Sequence, residues 1–417
     1  MLAVVKEHEG PGFAVKEVPY PVLRDTDVII KVRSVGICGT DGPILAGTRP
    51  VPYPLIPGHE FAGDIVEVGS AVQHLKVGDR VTPCIVIGCG DCDMCIEGKE
   101  VLCDNLVETG IHVDGAFAEY VRVPAKVCRK MRDTTTYDQG ASVDPVASAY
   151  RTVKASRITS KDVCCVYGAG PIGLYAVQLI RLRGVKTVIC LDTDAGAQRL
   201  ELAKTLGADY TINVSREDPV QRVREITNGA MADYVQDCVG APTVPVTAMN
   251  LLKKAGTYAI TGLYHTLPQV DLGKVVRSEI DIYGTICYTR QEFEECLHFI
   301  EDGRVKVDPL ITPHFPLREM EQAFAITQAK QSIKIILNPY RIPWENKQPL
   351  RGEAACLFLC FPLPPEFSQG PQLDLIDVLL AGPHPGGQLR RSVSPVIDLF
   401  QNIGFFFRQP RAAFYQV

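Results

Sequence analysis

The sequence lacks a strong charge of either sign: 43 Lys and Arg stand against 48 Asp and Glu in 417 residues, a formal net charge of −5. That balance offers no electrostatic footprint for nucleic acid or an anionic membrane, so neither is expected as a partner. No uncharged run approaches the roughly 18 apolar residues of a membrane span, and Met1–Gly10 (MLAVVKEHEG) has no apolar leader core. There is no internal repeat. No phosphate-binding P-loop occurs, because Gly98–Lys99 is followed by Glu100, and no G-x-S-x-G elbow occurs either. Apolar residues at 46% and charged residues at 22% exclude collagen-like, coiled-coil and wholly disordered chains. Cysteine, by contrast, is abundant, with 15 residues. Without a leader, so many thiols point to a cytoplasmic protein with reduced cysteines, some of them metal ligands.

The first 130 residues read as mostly β. Asp27–Arg33 (DVIIKVR), Phe61–Val68 and Phe117–Val123 are rich in β-branched and aromatic residues and are separated by turn clusters such as Pro50–Gly58 (PVPYPLIPG). This pattern predicts a small barrel-like domain. From about Val163 apolar runs (VCCVY, TVICL, YVQDCV, TYAIT) alternate with helix-period stretches, Ile172–Arg183 and Ala197–Leu206 among them. Such alternation predicts an α/β fold with a parallel sheet and crossover helices. Beyond Asn338–Pro339 the periodicity stops. Tyr340–Val417 holds ten of the 30 prolines and eight of the 15 phenylalanines, and reads as an irregular extension outside the reaction.

Residues 89–103 (CGDCDMCIEGKEVLC) place Cys89, Cys92, Cys95 and Cys103 in a C-x2-C-x2-C-x7-C pattern. Four thiolates in one loop can close a tetrahedron around zinc. Ferredoxin clusters share the first spacing, but their fourth cysteine comes after three residues and is followed by proline, whereas Asp104 follows here. With all four positions filled by protein, such a zinc is structural. A catalytic zinc needs an open position, and Gly36–Asp41 (GICGTD) with Gly58–Gly63 (GHEFAG) offers Cys38 and His59 as two ligands.

Val163–Gly173 (VCCVYGAGPIG) runs from a strand into G-x-G-x-x-G at Gly168, Gly170 and Gly173, with Pro171 and Ile172 inside the motif. A second strand then ends at Asp192, 19 residues beyond Gly173. In that context the glycines admit a pyrophosphate at a helix N-terminus, and the acid binds ribose hydroxyls and repels a 2′-phosphate. The expectation is NAD rather than NADP.

On these residues the chain, over about 1–339, resembles the zinc-dependent medium-chain alcohol dehydrogenases. The family's G-H-E-x2-G-x5-G-x2-V is matched by Gly58, His59, Glu60, Gly63, Gly69 and Val72, and its structural-zinc loop by the four cysteines. The resemblance implies a GroES-like, mainly β catalytic domain (1–148), a doubly wound Rossmann NAD domain (149–282), a return segment (283–339) and the extension (340–417). It implies two zincs per chain. Cys38 and His59 would bind the catalytic one, Glu60 would stand beside it as an alternative ligand, and Asp41 would orient the histidine. Asp144–Pro145 occupies the place of a Glu-Pro that supplies the third ligand in the polyol-dehydrogenase branch, so Asp144 is expected as that ligand, directly or through water. Thr40 matches the hydroxyl that takes the substrate proton. Pro43 stands where many relatives carry a relaying histidine, leaving Glu60, the cofactor ribose or water as the way out. Gly284–Val305 is similar to the sorbitol and butanediol dehydrogenase branches. The implied reaction is oxidation of an alcohol, polyol or vicinal diol by NAD in a homodimer or homotetramer. A zinc-free quinone or enone reductase on the same fold is the rival reading, and a non-catalytic sensing role is a second.

Overall fold

The ten-residue run Asp27–Gly36 (DVIIKVRSVG) buries nearly all its apolar side chains, which makes it a central rather than an edge strand. In the computed structural model, which describes residues 1–340, it pairs antiparallel with Glu60–Val68, Tyr120–Pro124 and Lys334–Asn338. Arg80–Pro83, Cys128–Lys130 and Ile311–Pro316 complete a seven-stranded sheet. Lys334–Asn338 thus returns from the far end of the described chain to the heart of the first lobe. The register sets Gly36 opposite Glu60, and this brings the two short glycine-flanked motifs together.

The second lobe is a six-stranded sheet in the order Tyr210–Asn213, Thr187–Asp192, Val163–Tyr167, Ala232–Asp237, Leu252–Ile260 and Asp281–Gly284. Every pairing is parallel. Numbered within the lobe, the order is 3-2-1-4-5-6, the doubly wound Rossmann arrangement. The helices Pro171–Leu182, Ala197–Thr205, Pro219–Ile226, Val244–Leu251 and Leu272–Ser278 form its crossovers. Covered on both faces, Val163–Tyr167 buries Cys164, Cys165 and Val166 completely. This is why that strand reads as an unbroken apolar run.

The helix Val143–Ala155 links the lobes and packs against Pro171–Leu182. The expected division after residue 148 falls inside this helix, and that after 282 falls inside the strand Asp281–Gly284. The chain passes between lobes through continuous packed elements, so composition does not change at the joint. Among the described residues no helix is long and apolar enough to cross a membrane. Beyond Tyr340 the expected extension lies outside the described residues.

Candidate active site

Cys38 follows the strand Asp27–Gly36, and His59 immediately precedes Glu60–Val68. The register that pairs these strands gathers Cys38, His59 and Glu60, with one donor atom from each lying within 4.8 Å of the others. Donors around a tetrahedral zinc, at bond lengths near 2.0–2.3 Å, stand about 3.3–3.8 Å apart, so a small closure of this trio would hold the ion. Gly36 makes room for it: a Cβ there would lie 2.3 Å from Glu60 Oε2.

Asp41 opens the short helix Asp41–Leu45 and is fully buried. Its Oδ2 accepts the Cys38 backbone N–H at 2.8 Å. Its Oδ1 faces His59 Nδ1 at 3.5 Å, and neither atom has a hydrogen-bond partner among the described residues. Burial opposes a charged His59, but Asp41, Cys38 and Asp144 outweigh it and hold the imidazole pKa well above its usual value. Burial also raises the Asp41 carboxyl, against the pull of His59. A metal on the other ring nitrogen would suit this pair of orphaned atoms, since Nδ1–H would then point at Asp41. Thr40, half-buried between Cys38 and Asp41, makes no side-chain cap bond to the helix that follows it.

Asp144, in the first turn of Val143–Ala155, does not join the trio. Its Oδ2 accepts the hydroxyl of the buried Tyr288. Burial, with Glu60 adding to it, pushes its carboxyl up to about 7 while His59 and Tyr288 pull the other way. Asp144 therefore belongs to the electrostatic neighbourhood of the cluster, and Glu60 is the carboxylate at ligand spacing. Glu60 in turn is ion-paired to Lys334, whose Nζ lies 2.6 and 2.9 Å from its oxygens and also donates to Ile37 O at 3.0 Å. Burial disfavours the ammonium, but Glu60 and Cys38 hold its pKa above the usual value. Lys334 and Tyr288 escaped the sequence reading. The one local signal was a lone cation in an otherwise apolar strand, KIILN.

The four loop thiols also meet, within 4.8 Å of one another. Cys89 Sγ lies 3.9 Å from Cys95 Sγ, and Cys92 Sγ lies 3.8 Å from Cys103 Sγ. Zinc bonds of ~2.3 Å in a tetrahedron set sulfurs about 3.8 Å apart. Cys103 Sγ additionally accepts the backbone N–H groups of Cys89 and Asn105, each at 3.3 Å.

At the glycine motif the three positions differ in kind. Gly168 has φ +101°, and a Cβ on it would strike Val239. A Cβ on Gly173 would lie 1.8 Å from Gly168 O, whereas one on Gly170 would meet nothing within 4 Å. The first and third glycines are thus demanded by the turn and by helix–strand packing, and the second leaves open space where a pyrophosphate can approach. Pro171 supplies the first residue of the helix Pro171–Leu182, and Ile172 follows it. Asp192 ends its strand with Oδ2 accepting Ala169 N–H at 2.9 Å and Oδ1 accepting Thr193 N–H at 2.7 Å. Arg199 stands 3.5 Å from it. The same helix joins the two sites: Tyr175, two residues past Gly173, is fully buried and interacts electrostatically with Lys334 and Glu60.

A glycine loop on a doubly wound sheet, joined to a β lobe bearing two donor clusters, defines an alcohol dehydrogenase-like, nicotinamide-linked oxidoreductase. Comparison with known proteins agrees. Residues 24–133 match the alcohol dehydrogenase GroES-like domain, and residues 171–302 match the zinc-binding dehydrogenase domain. A sorbitol dehydrogenase of Halalkalibacterium halodurans is 34% identical over 343 residues, 81% of this chain and 99% of that protein. An L-threonine 3-dehydrogenase of Streptomyces coelicolor is 35% identical, over 81% of this chain and 99% of that protein. The crystal structure of a zinc-binding dehydrogenase from Sinorhizobium meliloti 1021 bound to NADP superposes with a TM-score of 0.76 at 32% identity, covering 81% of this chain and 99% of that one. The chain belongs to the zinc-dependent medium-chain alcohol dehydrogenase family.

Proposed function

We propose that the protein oxidises a secondary alcohol, polyol or vicinal diol by hydride transfer to NAD, using one catalytic and one structural zinc per chain. The observation that carries this reading is the Cys38–His59–Glu60 donor set, with Glu60 in electrostatic reach of Tyr175 on the helix that starts at the glycine loop. When bound, zinc supplies Lewis-acid polarisation of the alcohol, as it lowers the pKa of water from 15.7 to about 7, and NAD supplies the hydride acceptor. The chain's own groups do the rest. Asp41 fixes the ring of His59. Lys334 holds Glu60 in place. Thr40 offers a hydroxyl to take the substrate proton, and Pro43, three residues on, cannot carry that proton further. Cys89, Cys92, Cys95 and Cys103 hold the structural ion, and Gly168, Gly170, Pro171, Ile172 and Gly173 seat the pyrophosphate.

Asp192 supports NAD, because its fixed carboxylate suits a ribose diol and repels a 2′-phosphate. Arg199 nearby moderates that repulsion, so the ratio of kcat/KM for the two cofactors is the direct measure. In this reading Glu60 is the third zinc ligand, and Asp144, buried and bonded to Tyr288, acts on the site through its charge. A homodimer is part of the same proposal. Asp281–Gly284 is the outer strand of the parallel sheet, and Leu272, Val276, Ile282 and Ile286 around it are exposed. A reducing compartment such as the cytoplasm suits the free thiols.

The decisive experiment combines metal analysis with NADH formation on a panel of alcohols, diols, polyols and hydroxy amino acids. Wild type should hold two zincs. Cys38→Ser and His59→Ala should hold one and reduce no NAD, and full residual activity in either would sink the site. Loss of one zinc in Glu60→Gln with retention in Asp144→Ala supports Glu60 as ligand; the reverse restores Asp144 to that role.

A further inference from the structure

One loop close to the glycine motif is held by a side chain that the scheme above does not use. Residues 263–269 lie between the strand Leu252–Ile260 and the helix Leu272–Ser278, and among the described residues their backbone makes no hydrogen bond. Leu267 in this loop is 93% exposed. The loop's one hydrogen-bonding side chain is Tyr264, whose hydroxyl donates to Asp237 Oδ2.

Asp237 ends the strand Ala232–Asp237, which pairs with Val163–Tyr167 on one side and Leu252–Ile260 on the other. The strand order reverses between Val163–Tyr167 and Ala232–Asp237, and a dinucleotide lies outside the carboxyl ends of the strands at such a point. Close contacts run from there to the loop. A Cβ on Gly168 would lie 2.5 Å from Val239 Cγ2, one on Gly240 would lie 2.4 Å from Leu263 O, and one on Gly262 would lie 2.3 Å from Gly240 N. Val239 therefore rests on the glycine motif and Leu263 on Gly240, with Tyr264 the next residue along.

Asp237 is fully buried and has no ion-pair partner among the described residues. Hydrogen-bond donors alone satisfy its carboxylate. Oδ1 accepts the backbone N–H groups of Val239 at 2.8 Å and Gly240 at 3.1 Å, and Oδ2 accepts the Tyr258 hydroxyl at 2.8 Å besides that of Tyr264. The two phenol oxygens stand 2.9 Å apart. Burial, and then Asp237, holds both phenols above their ordinary pKa, so both keep a proton to donate. The other segments that meet this carboxyl have further ties. Tyr258 belongs to a strand laddered on both sides, and Cys238 N–H donates to Tyr167 O at 2.9 Å. For residues 263–269 the Tyr264 hydroxyl is the whole of the hydrogen bonding to the lobe among the described residues.

We infer that Tyr264 is a positioning residue for the cofactor: its hydroxyl latches residues 263–269 to Asp237 beside the nucleotide crevice and keeps the free protein ready to bind. The inference rests on the nucleotide half of the proposed function and adds to it a control on affinity. Freed from Asp237, the loop takes up other arrangements, and the apparent affinity falls with the fraction still competent. Bound cofactor draws the competent form back, so turnover at saturation changes little.

The test uses the full-length, zinc-loaded protein and two variants that each take one hydroxyl away from Asp237, Tyr264→Phe and Tyr258→Phe. Methyl order parameters of Leu263 and Leu267 in the cofactor-free protein read the latch, and fluorescence titration with NADH reads its consequence. Tyr264→Phe should lower both order parameters. It should weaken NADH binding by about 3–10-fold and raise the KM for NAD to match, with kcat within about twofold and the melting temperature unchanged. Tyr258→Phe should lower the melting temperature, because its hydroxyl is buried, yet leave the loop methyls and NADH affinity as in wild type. An unchanged NADH affinity in Tyr264→Phe, equal weakening by both variants, or a loss that comes with a lower melting temperature overturns the inference. Failure of the nucleotide reading looks different: wild type itself would bind no NADH, while the methyl groups still report whether Tyr264 holds the loop.

Discussion

Lys334 shows what a single side chain contributes to this site. It is 4% exposed, fixed by Glu60 and by the carbonyl of Ile37, and held charged by the carboxylate it faces. Both ions of the pair have left water, so their mutual attraction mainly offsets desolvation, and removal of one partner strands the other. Lys334→Met should therefore lower the unfolding free energy by about 3–5 kcal/mol, measured by urea denaturation of the zinc-free protein, in which no ion compensates Glu60. Combining it with Glu60→Gln should recover much of that loss. A single variant as stable as wild type would mean that Glu60 finds water once the lysine is gone. The partnership had no local mark in the sequence, because Lys334 and Glu60 are 274 positions apart. Tyr288 and Asp144, 144 positions apart, were hidden in the same way. Motif spacing exposed Cys38, His59 and the four loop thiols because each set lies within a short segment or follows a glycine-marked turn.

Elements were legible where burial and hydrogen bonding coincide. The buried parallel strand Val163–Tyr167 matches its apolar run residue for residue, and the helix after it begins at Pro171, one position before the expected start. In the β lobe the two properties separate. Ala116, Phe117 and Ala118 are buried, which made Phe117–Val123 look like a strand. The ladder to Asp27–Gly36 begins only at Tyr120, while Ala118 makes an isolated bridge to Ala3. The glycine loop is the element in which sequence pattern and structure can be tested against each other. Gly173→Ala puts a methyl group 1.8 Å from a carbonyl oxygen and should both lower the melting temperature and abolish NAD binding. Gly170→Ala meets nothing in the protein. It should melt like wild type but bind NAD at least about tenfold more weakly, because the methyl group occupies the space of the pyrophosphate. Titration of each variant by nucleotide fluorescence or calorimetry checks the contrast. Equal losses in both would mean that the loop's glycines serve only folding.

At the scale of the molecule, the question is how much of the chain the enzyme needs. The relative from Halalkalibacterium halodurans is covered over 99% of its length by 81% of this chain. The described part ends at Tyr340, which is well anchored. Its ring packs on Tyr120 with centroids 6.3 Å apart, Lys31 Nζ stands 4.4 Å above it, and its hydroxyl donates to Glu119 O at 2.9 Å. Asn338 ties the same strand to Arg33 O at 2.9 Å. A chain ending after Tyr340 keeps every contact that the strand Lys334–Asn338 makes with the described residues and so keeps the partner of Glu60. It should retain two zincs, a melting temperature close to that of the full chain, and NAD reduction within about twofold, the size of effect expected where no packed or catalytic group of the described residues is removed. A chain ending after Ser332 loses that strand, leaves one edge of the central strand Asp27–Gly36 unpaired at Val35 and Gly36, and strips Glu60 and the Ile37 carbonyl of Lys334. It should not accumulate as folded protein. Comparing the two truncations by zinc content, thermal melting and alcohol-dependent NADH formation separates the catalytic need for the return strand from any contribution of residues 341–417, and a large loss of turnover in the longer chain would assign those residues a part in the reaction.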